Sequence, residues 1–244
     1  FIVSCSMEES GDASTDTVED RLSKVYYTEF MPCTAGPDYT SENMTSMIAE
    51  WQKLLTNENL QGVWGYAPAV ATNSFPDNGW WEIQWGSKEE AQEAWSEWSQ
   101  NEEAAAWNEK YASVLQCDES LINGFESVFP IASAQYSELP DSGYFYGEVH
   151  ICELNDGSTQ EEAISFLSGF TEAVANADYS DTSYHLGNYF NVDESGGFLW
   201  ANFTNSEESM NKANTSFEAS VRETMFPIFS TFASCGEVPD LYHG

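Results

Sequence analysis

Tyr27-Thr28-Glu29-Phe30-Met31-Pro32-Cys33 and Tyr146-Gly147-Glu148-Val149-His150-Ile151-Cys152 are one strand written twice, at an offset of 119 from Tyr27 to Tyr146. Tyr, Glu and Cys recur at matched positions, on alternate residues, so they share one face of a β-strand. Outward from this pair the match continues. Gly65 meets Gly187 at an offset of 122, and Gly79, Trp85 and Cys117 meet Gly197, Phe203 and Cys235 at 118. An internal repeat outranks other signals, because each copy has to be one supersecondary unit. The copies cover residues 24–129 and 144–244, joined by a linker at 130–143 that contains Pro130, Pro140 and Gly143. Two units of roughly a hundred residues each suit the usual domain size.

Within each copy the periodicities follow a fixed order. Residues 24–33 read as a strand. Met44, Met47, Ile48, Trp51 and Leu55 fall at helical spacing behind Ser41 as N-cap. Residues 61–71 and 79–85 read as strands around the turn Pro76-Asp77-Asn78-Gly79. Ser87 and Glu90 predict a capping box for a helix bearing Ala91, Ala94, Trp95 and Trp98. A further helical stretch covers 105–115, and the last strand starts near Cys117. The second copy repeats this: a strand at 145–153, a Thr159–Glu162 box before a helix with Ile164, Leu167, Phe170 and Val174, and strands at 184–192 and 198–203 around Glu194-Ser195-Gly196-Gly197. Asn205 with Glu208 is the expected cap of its second helix.

The order β-α-β-β-α-β is that of the ferredoxin-like split βαβ unit. Its duplication resembles the dimeric α+β barrel superfamily, which includes the antibiotic-biosynthesis monooxygenase, EthD-like and NIPSNAP-like families. The resemblance rests on element order and repetition. It implies an α+β fold in which two ferredoxin-like repeats close one pseudo-dimeric barrel, with strand order 4-1-3-2 in each repeat and helices outside.

Four of the five cysteines form matched pairs, Cys33 with Cys117 and Cys152 with Cys235. Each pair joins the end of a first strand to the start of a last one, and these points are neighbours if the strands run antiparallel side by side. Bridges there close loops of 84 and 83 residues, for which chain entropy gives on the order of 4 to 5 kcal/mol each. The alternative is four buried free thiols. Cys5 stands apart. Ile2-Val3-Ser4-Cys5 resembles the lipobox of bacterial lipoproteins, whose Cys is lipidated, and the polar, acidic residues after it read as a tether running to residue 23. Translation from Met7 is the competing reading. Disulfides and lipobox together predict an extracytoplasmic bacterial protein, anchored in the outer membrane, periplasmic or secreted.

Forty-one Asp and Glu stand against seven Lys and Arg, a net charge of -34. Such a surface repels phosphate backbones and anionic lipid, which excludes nucleic acid as a partner and leaves the lipid at Cys5 as the sole membrane contact. It suits a saline medium, where screening reduces self-repulsion. Aromatic residues make up 15% of the chain, ample for a packed core.

Strand alternation places Tyr27, Glu29, Met31 and Cys33 on the barrel face of the first strand, with Tyr146, Glu148, His150 and Cys152 as counterparts, and Tyr26 and Phe30 on the helix side. On the third strand Trp81, Ile83 and Trp85, matched by Leu199, Ala201 and Phe203, are expected under helices. Trp80, Glu82 and Gln84, matched by Phe198, Trp200 and Asn202, are expected inside with His185 and Tyr189. The resulting candidate ligand site is Tyr27, Glu29, Tyr146, Glu148, His150, His185, Tyr189, Trp200 and Asn202, walled mainly by the second copy. His150 and His185 would lie about 9 to 10 Å apart by sheet spacing, so no metal is expected, nor any cofactor. Three function classes follow: a non-catalytic barrel that binds a small molecule in its interior, a cofactor-independent oxygenase or isomerase of the superfamily's kind, and a self-assembling coat protein.

Overall fold

The computed structural model describes residues 16–54, 58–131, 144–193 and 196–244. A short helix α1 (Val18–Ser23) precedes the first repeat, which supplies β1 (Tyr26–Ala35), α2 (Ser41–Trp51), β2 (Leu60–Pro68), β3 (Gly79–Trp85), α3 (Lys88–Gln100), α4 (Glu102–Tyr111), β4 (Leu115–Cys117) and β5 (Asn123–Ile131). The second supplies β6 (Tyr146–Leu154), α5 (Gln160–Ala175), β7 (His185–Asn191), β8 (Gly197–Thr204), α6 (Glu207–Ser216), α7 (Arg222–Phe232), β9 (Ala233–Cys235) and β10 (Asp240–His243). Strands run in the order β2-β3-β1-β5-β7-β8-β6-β10, and β10 pairs back onto β2 through Tyr242 opposite Pro68 and His243 opposite Ala67. The sheet therefore closes, which removes its exposed edges. Within each repeat the order is 4-1-3-2, and the seams β5–β7 and β10–β2 join the copies.

The expected last strand near Cys117 is in fact two strands. β4 and β9 pair only with the far ends of β1 and β6, with Cys33 opposite Cys117 and Cys152 opposite Cys235, and both pairs are disulfide-bonded. After a turn the chain returns as β5 or β10 along the near end of the same strand. Pro130 and Ile131, read as linker, belong to β5; residues 132–143 lie outside the described residues, as do Cys5 and its lipobox.

Residues 16–23 are not a solvated tether. Thr17 and Asp20 form a reciprocal capping box on α1, and the buried Arg21 donates from Nε to Pro130 O (2.8 Å) and from Nη1 to Asp16 O (2.6 Å). A guanidinium held by carbonyls keeps its hydrogen bonds out of water, and so pins α1 against β5 and α5.

Caps and register expose a one-residue slip in the expected repeat. Ser87 caps α3 by accepting the Glu90 N–H, but its counterpart on α6 is Ser206, which accepts the Ser209 N–H, and not Asn205. On the strands before these helices Cys33 lies opposite Gly79, whereas Cys152 lies opposite Phe198. The offset there is 119 and not 118, and a slip of one residue moves every side chain of a strand to the other face. The cap of α2 is likewise Thr40, one residue before Ser41. Thr159 and Glu162 form their box as expected.

Apolar side chains gather in three layers. Met44, Met47, Ile48 and Trp51 of α2, with Ala91 and Ala94 of α3, cover Met31, Cys33, Val63, Trp81, Ile83 and Trp85. In the second repeat Phe166, Leu167, Phe170 and Val174 of α5, with Met225 and Phe232 of α7, cover Cys152, Leu186, Phe190 and Phe198. The third layer is the barrel interior, built on Tyr66, Phe125, Tyr189, Ala201, Phe203 and Tyr242.

Candidate functional site

The barrel interior is occupied by aromatic rings. Phe30 meets Tyr66, Phe125 and Tyr189 edge-on at centroid distances of 5.9, 5.6 and 5.2 Å, and Phe145 closes on Tyr66 at 5.0 Å. Edge-to-face rings at such distances pack closely and fill the space between them. Among them sits Glu82, 2% exposed, accepting the Tyr66 hydroxyl. Burial pushes its carboxyl up to about 7, against the pull of the Tyr66 and Tyr189 hydroxyls. His185 does face inward, stacked on Phe129 at 5.4 Å, and burial holds its imidazole down to about 4. Tyr189, also expected inside, is there.

The remaining residues of the expected site lie on the helix-covered face. Glu29 accepts the indole N–H of Trp85 (3.0 Å) and of Trp95 (2.7 Å), the latter from α3. Its counterpart Glu148 accepts both contacts of the Asn214 amide from α6, at 3.0 and 3.1 Å. Both carboxyls are raised above their ordinary range, chiefly by burial. They are matched struts between first strand and second helix. Tyr27 carries Lys88 of α3 at 5.9 Å over its ring, and Tyr146 lies opposite Thr204 on the same face as Glu148. His150 lies opposite Trp200, and Trp200 packs on Phe170 (4.9 Å) and Phe229 (5.7 Å) of the second helix layer. Asn202 accepts from the Tyr184 hydroxyl and the Trp200 indole. The expected face was reversed because both faces of a barrel strand are buried, so alternation of apolar residues does not say which is inside. Phe30, Val149, Leu199 and Phe203 are the interior residues instead. Glu29, Glu148, His150 and His185 consequently do not converge. Among the described residues no group of three His, Cys, Asp or Glu gathers as a metal site.

A space that can receive a ligand lies in the first repeat, between its sheet face and its helices. A cavity of about 430 Å³ is lined by six of the nine tryptophans, Trp51, Trp81, Trp85, Trp95, Trp98 and Trp107. Met31, Met47 and Ile83 form its buried floor; Glu97, Asn108, Gln116 and Glu119 are exposed at its mouth. Sequence explains the lining: α3 places Ala94 and Trp98 one turn apart toward the sheet, and Asn101 caps α4 so that Trp107 returns over α2, where its N–H reaches Met47 O at 3.0 Å. A second space of about 260 Å³ lies toward Tyr39, Pro68 and Trp80, beyond Trp51 and Trp81. Trp stripes on helices read as ordinary core in the sequence. The signal that could have separated them is their imbalance, eight in the first copy and Trp200 alone in the second.

Among solved structures, a candidate monooxygenase of Lactobacillus acidophilus superposes with a TM-score of 0.56 at 8% identity, over 90% of this chain and 92% of that one. A candidate monooxygenase of Fusobacterium nucleatum gives 0.55 at 8%, over 90% and 92%. A mutant chlorite dismutase of Candidatus Nitrospira defluvii gives 0.50 at 14%, over 93% and 94%. The chain has the α+β barrel fold of these proteins. At such identities the likeness carries the fold and no chemistry. No family model and no curated protein matches the sequence.

Proposed function

We propose that the protein holds a small molecule in the Trp-lined cavity of its first repeat, without transforming it, outside the cytoplasm. One observation carries this reading: the two repeats treat the same helix–sheet space differently. In the second, Phe166, Phe170 and Phe229 close around Trp200 at ring distances of 4.9 to 6.3 Å, and Phe232 backs Phe166 at 5.2 Å. In the first, indoles frame an opening of about 430 Å³, within the usual range of roughly 300 to 1,000 Å³ for ligand pockets. Protein interiors pack tightly by default, so a space kept in one copy and filled in the other fits a binding role. The two disulfides support an oxidising compartment, and the lipobox-like segment supports a lipid anchor at Cys5.

A second reading, oxygenase or isomerase chemistry of the antibiotic-biosynthesis monooxygenase, EthD or NIPSNAP kind, is supported by the fold shared with candidate monooxygenases and by the buried Glu82 between two tyrosine hydroxyls. The ring-filled barrel around Glu82 weighs against it.

Titration with a neutral aromatic probe, 1-naphthol, followed by tryptophan emission, tests the binding reading. Saturable one-to-one binding that disappears in Ala94→Phe, a substitution that fills the cavity from α3, is the expected result. Unsaturable binding, or binding indifferent to Ala94→Phe in a variant with unchanged melting temperature, overturns it.

A further inference from the structure

The walls of this cavity also say what kind of molecule it suits. Trp85, Trp95 and Trp107 have each committed their single N–H to a protein acceptor, Glu29 for the first two and Met47 O for the third. An indole has no other hydrogen-bonding atom, so these three offer a ligand only ring surface. The rings are held in place as well: Trp51 stands edge-on to Trp81 at 5.2 Å, and Trp98 to Trp107 at 6.0 Å. A carboxylate that accepts an indole N–H pushes electron density into the ring, and Glu29 does this to two of the walls.

Charge at the mouth points the same way. Glu97 and Glu119 lie on the rim beside the neutral Asn108 and Gln116, and no Lys or Arg is among the residues that line the cavity. The surrounding surface belongs to a chain of net charge -34. An anion would meet repulsion at entry and no basic partner inside, whereas ring faces and carboxylates both attract a cation. A bare metal ion has no ligand set here, since apolar rings cannot replace its hydration shell.

Building on the binding reading above, we infer that the first-repeat cavity takes an organic cation, an alkylated ammonium whose apolar substituents sit among the tryptophans while its charge faces ring surface and the Glu97–Glu119 rim. The attraction comes from ring quadrupoles acting on a weakly hydrated cation, the interaction that selects quaternary ammonium groups in aromatic cages.

The test compares choline with its neutral isostere 3,3-dimethylbutan-1-ol by isothermal titration calorimetry, alongside the 1-naphthol titration. The full protein is expected to bind choline at least tenfold more tightly than the isostere. Glu97→Gln combined with Glu119→Gln, both at exposed positions, is expected to weaken choline several-fold, and by more than it changes the isostere or 1-naphthol. Trp98→Leu should weaken choline by about tenfold, and Trp98→Phe by less. Equal affinity for choline and the isostere, or 1-naphthol binding without choline binding, overturns the cation assignment and leaves the pocket intact. Failure of all three probes to bind overturns both.

Discussion

Trp51 and Trp81 meet edge to face, with centroids 5.2 Å apart and planes at 78°, and both, with Leu115, line the two cavities of the first repeat. Both indoles are buried, at 7% and 9% exposure.

Trp51→Ala should therefore merge the two spaces. Loss of a buried Trp costs roughly 3 to 5 kcal/mol, read as a lower urea midpoint, and the merged space should admit probes larger than 1-naphthol. A variant that loses stability without gaining larger probes would show that the two spaces are not separated by this pair.

Glu29 holds Trp85 and Trp95 in place, so Glu29→Leu leaves two indole donors without acceptor. Each unsatisfied buried donor costs about 1 to 3 kcal/mol. The prediction is a clear loss of stability together with weakened 1-naphthol binding. At the matched position, Glu148→Leu should destabilise through Asn214 and leave binding unchanged. Equal effects on binding at the two positions would contradict a site confined to the first repeat.

The barrel interior makes two opposed demands on pH. Glu82 keeps its proton up to about 7 in the folded protein against 4.5 ordinarily, so its contribution is full below about pH 4.5 and is lost as pH rises through 7, to a total on the order of 3 kcal/mol. His185 stays neutral down to about 4 against 6.5, so its contribution is full above about pH 6.5 and is lost as pH falls through 4. Where the two windows overlap, from about pH 4.5 to 6.5, the opposed slopes cancel. Glu82→Gln should stabilise the protein at pH 8 and hardly at pH 4, while His185→Gln should stabilise it at pH 4 and hardly at pH 8. Urea unfolding at both pH values checks this, and gains independent of pH would refute the burial of either group.

Non-reducing peptide mapping should recover Cys33 with Cys117 and Cys152 with Cys235, each within one repeat. Replacing either pair by serine should lower stability by about 4 kcal/mol, since each bridge closes a loop of more than eighty residues. A bridge between the repeats would be incompatible with the pairing of β4 on β1 and β9 on β6.

Much of the fold was legible because it is written twice. Tyr27, Glu29 and Cys33 recurring as Tyr146, Glu148 and Cys152 identified equivalent strands, and the cysteine pairs followed from their matched ends. The faces were not legible. Alternation shows that Phe30 and Met31 point oppositely, but both are apolar and both are packed, one on rings in the barrel and one under α2. Matching Gly79 to Gly197 then shifted the second copy by one residue, which placed Trp200 and Asn202 inside and Leu199 and Phe203 outside, the reverse of the structure. Register in a strand with two buried faces is set by its partners, not by its own pattern. The cavity was hidden for a related reason. Core and pocket use the same tryptophans, and only the three-dimensional spacing of α2, α3 and α4 leaves room between them.

The most direct test is a titration of ¹⁵N-labelled protein with 1-naphthol, followed through its nine indole N–H resonances. Six belong to tryptophans that line the larger first-repeat cavity; Trp80 borders the second space, and Trp64 and Trp200 line neither and serve as internal controls. Saturable shifts concentrated in Trp95, Trp98 and Trp107, with Trp64 and Trp200 unmoved, are predicted. Shifts led by Trp200 or Trp64, or no saturable shift at all, would contradict a ligand site in the first repeat.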